Sequence, residues 1–165
     1  MYRTAHSSRR VSGFTMIEVM VAVLVLSVGL LGLASLQANS LRQNSSAYLR
    51  TQAIILANDM ADRMRANLTE VAAGAYNNIT KADAGTDPVC KSTPCTPDVI
   101  TTHDIAVWYD NLDTVLQGGD GTVTGDGRLF TITVMWDDNK LGATGTGCDP
   151  NNDADMVCFT TTLIP

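Results

Sequence analysis

The sequence predicts an α+β chain: one long N-terminal helix, half apolar and half amphipathic, packed on a small antiparallel β-sheet. Three observations predict it. Residues 14–36 are almost wholly apolar, and residues 37–68 carry apolar side chains at helical spacing with no proline before Pro88. Short segments of alternating apolar and polar residues, separated by glycine- and aspartate-rich turns, fill the last third of the chain. The 165 residues suffice for one modest core plus a membrane segment.

Residues 1–13 form a short basic leader. Arg3, Arg9 and Arg10 are accompanied by no acid, and their removal deepens the net charge from −6 to −9. An acidic body of this kind excludes binding to a nucleic-acid backbone, which needs clustered Lys and Arg. Residues 14–36 read FTMIEVMVAVLVLSVGLLGLASL, about 34 Å of helix against a bilayer core of about 30 Å. The preceding arginines orient this span with its N-terminus cytoplasmic and the bulk of the chain, residues 37–165, outside. Glu18 is the only charge in the span. An ionised group at bilayer depth costs at least ~2.5–3.5 kcal/mol, so Glu18 is a functional candidate by default. An ordinary secretory signal, cut near Gly32-Leu33-Ala34, is the competing reading. The apolar run is too long for it, and a disposable segment gains nothing from a carboxylate.

The stretch SGFTMIEVMVAVLVLSVGLLGL resembles the N-terminus of type IV pilins and pseudopilins. The resemblance implies cleavage by a prepilin peptidase between Gly13 and Phe14, N-methylation of Phe14, and an assembly role for Glu18 at the fifth mature position. Many members carry a helix-breaking proline where this chain has Ser35, while Gly29 and Gly32 allow local softening. The new amine on Phe14 would lie close to Glu18 and neutralise it, because an isolated carboxylate cannot stay charged in lipid. A Glu18 that is protonated or snorkels to the headgroups is the simpler alternative.

Beyond Leu36 the helix continues as an amphipathic segment. Leu41, Leu49, Ala53, Leu56, Met60, Met64 and Leu68 form its apolar stripe, and one helix of roughly 55 residues is expected from Phe14 to about Leu68. Asp59 and Arg63 stand at i,i+4. The run MADRMRANL at residues 60–68 resembles PilV-type minor pilins. That resemblance implies a non-catalytic minor pilin working with major and minor pilins, prepilin peptidase, an inner-membrane assembly platform and a tip adhesin, in pilus assembly and twitching motility. It also implies residence in the inner membrane with a periplasmic domain, then in the pilus fibre or its tip. A minor pseudopilin of a type II secretion system shares this architecture. A membrane-anchored periplasmic binding domain is the alternative from another class.

Residues 70–102 lack periodicity and read as a long surface connection stiffened by Pro94 and Pro97. A short helix follows over 104–116, capped near Thr102 or Asp104, and Gly118–Gly121 end it. Strands are expected at 121–124, 129–136 and 156–164, with a turn at Gly125-Asp126-Gly127 and a polar loop over 137–155. Phe130, Ile132, Val134 and Trp136 share one face; Thr131, Thr133 and Met135 share the other.

Cys90, Cys95, Cys148 and Cys158 all lie in the exported part, and an even count there reads as two disulfides. Three pairings are possible; proximity favours Cys90–Cys95 with Cys148–Cys158. No cofactor is expected. Asp149, Asn151, Asp153 and Asp155 alternate as in the first half of a calcium loop, but Ala154 replaces the turn glycine and Thr160 the bidentate glutamate, which favours a solvated acidic turn. His103 is the sole histidine beyond the leader, and no nucleophile elbow, phosphate-cradling loop or metal-spaced set accompanies it. The sequence therefore does not read as an enzyme.

Overall fold

The computed structural model describes residues 13–90, 94–126 and 128–165. The basic leader before Gly13, and Gly127 of the expected turn, lie outside the described residues. Helix α1 spans Met16–Ala66, α2 Leu68–Ala73 and α3 Pro97–Val115, with one 3-10 turn at Lys81–Asp83 between α2 and α3. Strands β1 (Asp120–Gly125), β2 (Phe130–Trp136) and β3 (Val157–Leu163) form an antiparallel sheet in the order β1-β2-β3. The chain divides into two compact units, one ending at Gln43 and one beginning at Asn44.

In the first unit none of the described side chains is buried, and the large apolar residues from Phe14 to Leu41 are more than half exposed. The helix is long and apolar enough to cross a membrane. Its one mid-span hydroxyl is satisfied internally: Ser27 Oγ donates to the carbonyl of Val23 at 2.7 Å. α1 runs through Gly29, Gly32 and Ser35 without a break.

The second unit holds the core. Leu49, Ala53, Leu56, Ala57, Met60, Ala61 and Met64 of α1 face inward at helical spacing. The expected stripe loses both ends. Leu41 is exposed within the first unit, and Leu68 is exposed because the chain leaves the helix at Asn67, whose φ and ψ are −123° and 53°. α2 stops at Gly74, which takes the left-handed conformation (φ 83°) while Ala75 N–H donates back to the Glu70 carbonyl at 2.9 Å.

Residues 70–102 are not the featureless surface connection expected. They contain the end of α2, the 3-10 turn and the start of α3, and they bury Val71, Tyr76 and Ile79. The second long helix also begins earlier than the pattern suggests. Thr96 is its N-cap and Pro97 its first residue, because proline's fixed φ and missing N–H suit a helix start. Asp104, expected near the cap, lies a full two turns inside and faces the core with Thr101, Ile105, Trp108, Tyr109 and Leu112.

The sheet follows the alternation. Phe130, Ile132, Val134 and Trp136 are essentially inaccessible and pack with α1 and α3, while Met135 on the opposite face joins Ala143, Met156 and Cys158 in a small second cluster. Two aromatic side chains on α3 fix the layers. Trp108 Nε1 donates to the Leu56 carbonyl of α1 at 2.9 Å, and the Tyr109 hydroxyl donates to the Gly121 carbonyl of β1 at 2.7 Å.

Gly121 allows that approach: a Cβ there would fall 2.4 Å from Cη2 of Trp108. Gly121→Ala is expected to cost about 1–3 kcal/mol by overpacking, read as a lower urea midpoint in a fragment of residues 44–165. Gly85→Ala, whose added methyl meets nothing within 4 Å, should change stability by less than about 0.5 kcal/mol.

Candidate functional site

The N-terminal candidates occupy the start of α1. Gly13, Phe14 and Thr15 precede the helix, and the Thr15 carbonyl accepts hydrogen bonds from Glu18 N–H at 3.1 Å and Val19 N–H at 3.3 Å. Thr15 Oγ1 lies 3.4 Å from the same Glu18 N–H. Thr15 and Glu18 therefore stand at the N-cap and third helical positions, the spacing of a capping box. The signal, a threonine three residues before a glutamate that opens an apolar run, was readable in the sequence but not used. Glu18 is the acidic residue of the first turn, where the helix dipole favours negative charge. Phe14 and Glu18 line one shallow groove with Val19, Ala22, Val23 and Leu26, so the Phe14 side chain and the carboxylate share a side of the helix.

In the second unit Cys90 is bonded to Cys95 and Cys148 to Cys158. The acidic turn inside the latter loop directs its oxygens to its own backbone. Asp149 Oδ1 accepts from Asn151 N–H at 2.9 Å and Asp155 Oδ2 from Asp149 N–H at 3.2 Å. Among the described residues, no group of three or more His, Cys, Asp or Glu side chains is arranged to hold a metal ion. His103 Nδ1 sits 2.6 Å from Asp87 Oδ1, tying the segment before Cys90 to α3.

The polar centre of this unit is one the sequence reading missed. The Asp104 carboxylate, 8% exposed, accepts from Arg63 Nη1 at 3.0 Å and from the Tyr76 hydroxyl at 2.7 Å. Arg63 also binds Asp59 through Nε at 2.9 Å. Asn67 Nδ2 lies 3.3 Å from the Tyr76 hydroxyl, 2.9 Å from the Pro97 carbonyl and 3.1 Å from Thr101 Oγ1. The end of α1, the Tyr76 segment and the first turns of α3 are thus joined by one buried network. Burial alone would lower the Arg63 pKa, but its bonds to Asp59 and Asp104 raise it above the ordinary value. Burial, opposed by the Thr101 bond and reinforced by Asp104, pushes Tyr76 up to about 12. The arrangement fastens secondary-structure elements, its groups being spent on one another.

Two family models match the chain. One, described as type IV pilin Tt1218, covers residues 35–106; the other, described as the prokaryotic N-terminal methylation motif, covers residues 8–34. The matched stretches abut, taking in α1, α2 and the first half of α3 and stopping short of the sheet. No curated protein and no solved structure matches the chain.

Breaking a buried ion pair by removing one partner costs about 3–5 kcal/mol. Asp104→Ala should fall near the lower end in urea unfolding of residues 44–165, because Arg63 keeps Asp59. Tyr76 adds an alkaline signature. Its hydroxyl is protonated in both states below pH ~10, so its contribution is complete there. As pH rises from there towards about 12, the unfolded chain loses its proton first, and stability falls. Tyr76→Phe should make that decline shallower without abolishing it, since burial also raises the pKa of Tyr109.

Proposed function

We propose that this type IV pilin-like chain is a minor pilin of the PilV type: a non-catalytic subunit cut between Gly13 and Phe14, held in the inner membrane by residues 14–36, and built into a pilus or its tip complex. The observation that carries this reading is the single carboxylate of Glu18 in the first turn of α1, within an apolar stretch of which no side chain is buried, directly after the Gly13-Phe14 junction. The methylation-motif match over residues 8–34 supports it.

Cleavage after Gly13 frees an amine on Phe14, four residues before Glu18 and on the same side of the helix. Methylation keeps that amine basic. In the bilayer, the pair replaces a lone buried charge by a neutralised one. During assembly, Glu18 meets the Phe14 amine of its own or a neighbouring subunit, while the bare apolar surface of residues 14–36 is covered by other pilins. Prepilin peptidase and an inner-membrane assembly platform act on this segment; the sheet and acidic loops select the neighbours, and a tip adhesin is among the partners of such a subunit. The two disulfides suit an oxidising periplasm.

Mass spectrometry of the mature protein should find methylated Phe14 at the N-terminus; an intact Met1, or a start near Ser35, overturns the reading. Loss of pili and twitching on deletion places the protein in a pilus, whereas loss of exoprotein secretion assigns it to a type II secretion pseudopilin. Glu18→Ala should be cleaved and inserted yet enter filaments roughly ten- to a hundredfold less well, the loss of a charged hydrogen bond worth about 1.5–3 kcal/mol. Glu18→Gln separates two roles, because it preserves capping-box chemistry and removes the charge. Poor incorporation of that variant is expected, and normal incorporation reduces Glu18 to a helix cap.

A further inference from the structure

The loop between β2 and β3 is closed by more than its disulfide. Gly145 and Asp155 form an isolated parallel bridge. Gly145 N–H donates to the Ala154 carbonyl and Met156 N–H to the Gly145 carbonyl, both at 2.8 Å, and Thr144 N–H reaches the Ala154 carbonyl at 3.2 Å. Two segments paired in parallel advance together, so three residues beyond the bridge the register sets Cys148 opposite Cys158. Their Cα atoms are 5.6 Å apart, and their ten-residue separation equals that of Gly145 and Asp155. The backbone thus brings the two cysteines together through hydrogen bonds that involve neither sulfur.

Beyond the bridge the register is held by a side chain. Among the described residues, no backbone hydrogen bond joins residues 146–149 to residues 156–158. The Asp155 carboxylate spans that gap. Its Oδ2 accepts from Asp149 N–H at 3.2 Å, and its two oxygens lie so close along Gly145 and Gly147 that a Cβ at either glycine would collide with them. One carboxylate therefore touches residues 145, 147 and 149, on both sides of Cys148. Asp149 and Asn152 instead shape the intervening turn, accepting from Asn151 N–H at 2.9 Å and Ala154 N–H at 3.2 Å.

We propose that Asp155 is a positioning residue for formation of the Cys148–Cys158 disulfide: it holds the reduced loop in the register in which the second thiol meets the first. The oxidant is a disulfide. The exposed Cys148, as its thiolate, attacks that disulfide, forming a mixed disulfide and releasing one thiolate. The partly buried Cys158, as its thiolate, then attacks the Cys148 sulfur and releases the second. The two cysteines lose two electrons and two protons, and the oxidant becomes two thiols. The second step joins groups of one chain, so its rate follows how often the loop presents the two sulfurs together. All the groups involved lie in the second unit, and none of these contacts depends on the function proposed above.

Two experiments on the full chain in detergent micelles test it. In the first, the protein is reduced without denaturant, freed of reductant and reoxidised with glutathione disulfide. Alkylation and peptide mass spectrometry follow both disulfides, and the second step is read directly as the decay of the glutathione mixed disulfide on Cys148. Asp155→Ala should slow that decay by about tenfold or more, the loss of a hydrogen bond to a charged group, while Cys90–Cys95 closes at its usual rate. Asp155→Asn keeps an acceptor oxygen for Asp149 N–H and should be slowed less. An unchanged decay in Asp155→Ala overturns the proposal, as does equal slowing of both disulfides, which marks a general loosening of the domain.

In the second, Cys148→Ser with Cys158→Ser removes the covalent link. Amide exchange at Gly145 and Met156, the donors of the bridge, should stay at least about tenfold slower than in unstructured peptide, and adding Asp155→Ala should remove most of that protection. Free exchange at both amides once the disulfide is gone means that the covalent bond makes the register, and overturns the proposal.

Discussion

Asp104 is the residue on which the second unit depends. Its carboxylate is almost fully removed from water, and a buried charge persists only where other groups replace its lost hydration. Arg63 and Tyr76 do so from two different elements, and Asn67 carries the network on to the Pro97 carbonyl and Thr101. The consequences spread outward. α1 ends where Asn67 turns into this network, the Tyr76 segment is drawn into the core rather than looping over the surface, and α3 is held against α1. Trp108 can then reach the Leu56 carbonyl and Tyr109 the Gly121 carbonyl, setting helix against helix and helix against sheet.

The first unit follows the opposite logic. It has no core and buries none of its described side chains, so its apolar surface needs lipid or neighbouring subunits for cover. One carboxylate in such a surface is tolerated because it sits in the first helical turn, next to the Thr15 cap and the positive end of the helix dipole. The same location brings Glu18 to the groove that Phe14 lines. One chain therefore combines a segment that buries none of its described side chains with a domain that holds a core.

Several parts of this arrangement were legible in the residues. The long helix, the three strands and the alternation that buries Phe130, Ile132, Val134 and Trp136 follow from periodicity, because the side-chain repeat of each element is local geometry. Three features were not. The start of α3 at Pro97 was masked because a proline in a threonine- and aspartate-rich stretch reads equally as a turn. Asp104 looked like a cap, since a carboxylate beside an apolar run ordinarily faces water. Residues 70–102 showed no period, because short segments such as Val71, Tyr76 and Ile79 are buried by contacts from elsewhere and not by a repeating face.

By itself, the sequence determined what is set by neighbours along the chain: an apolar helix with one charge, an amphipathic continuation and alternating strands. These depend on backbone geometry and on the cost of placing apolar or charged groups in water or lipid. Only the tertiary structure decided which polar residues were buried and what they met there. Arg63 and Asp104 are 41 positions apart, and Trp108 and Leu56 are 52 apart. It also decided that the β1 edge of the sheet was closed by Ile79. Such choices rest on pairings between distant segments, whose energies exist only once the chain has folded.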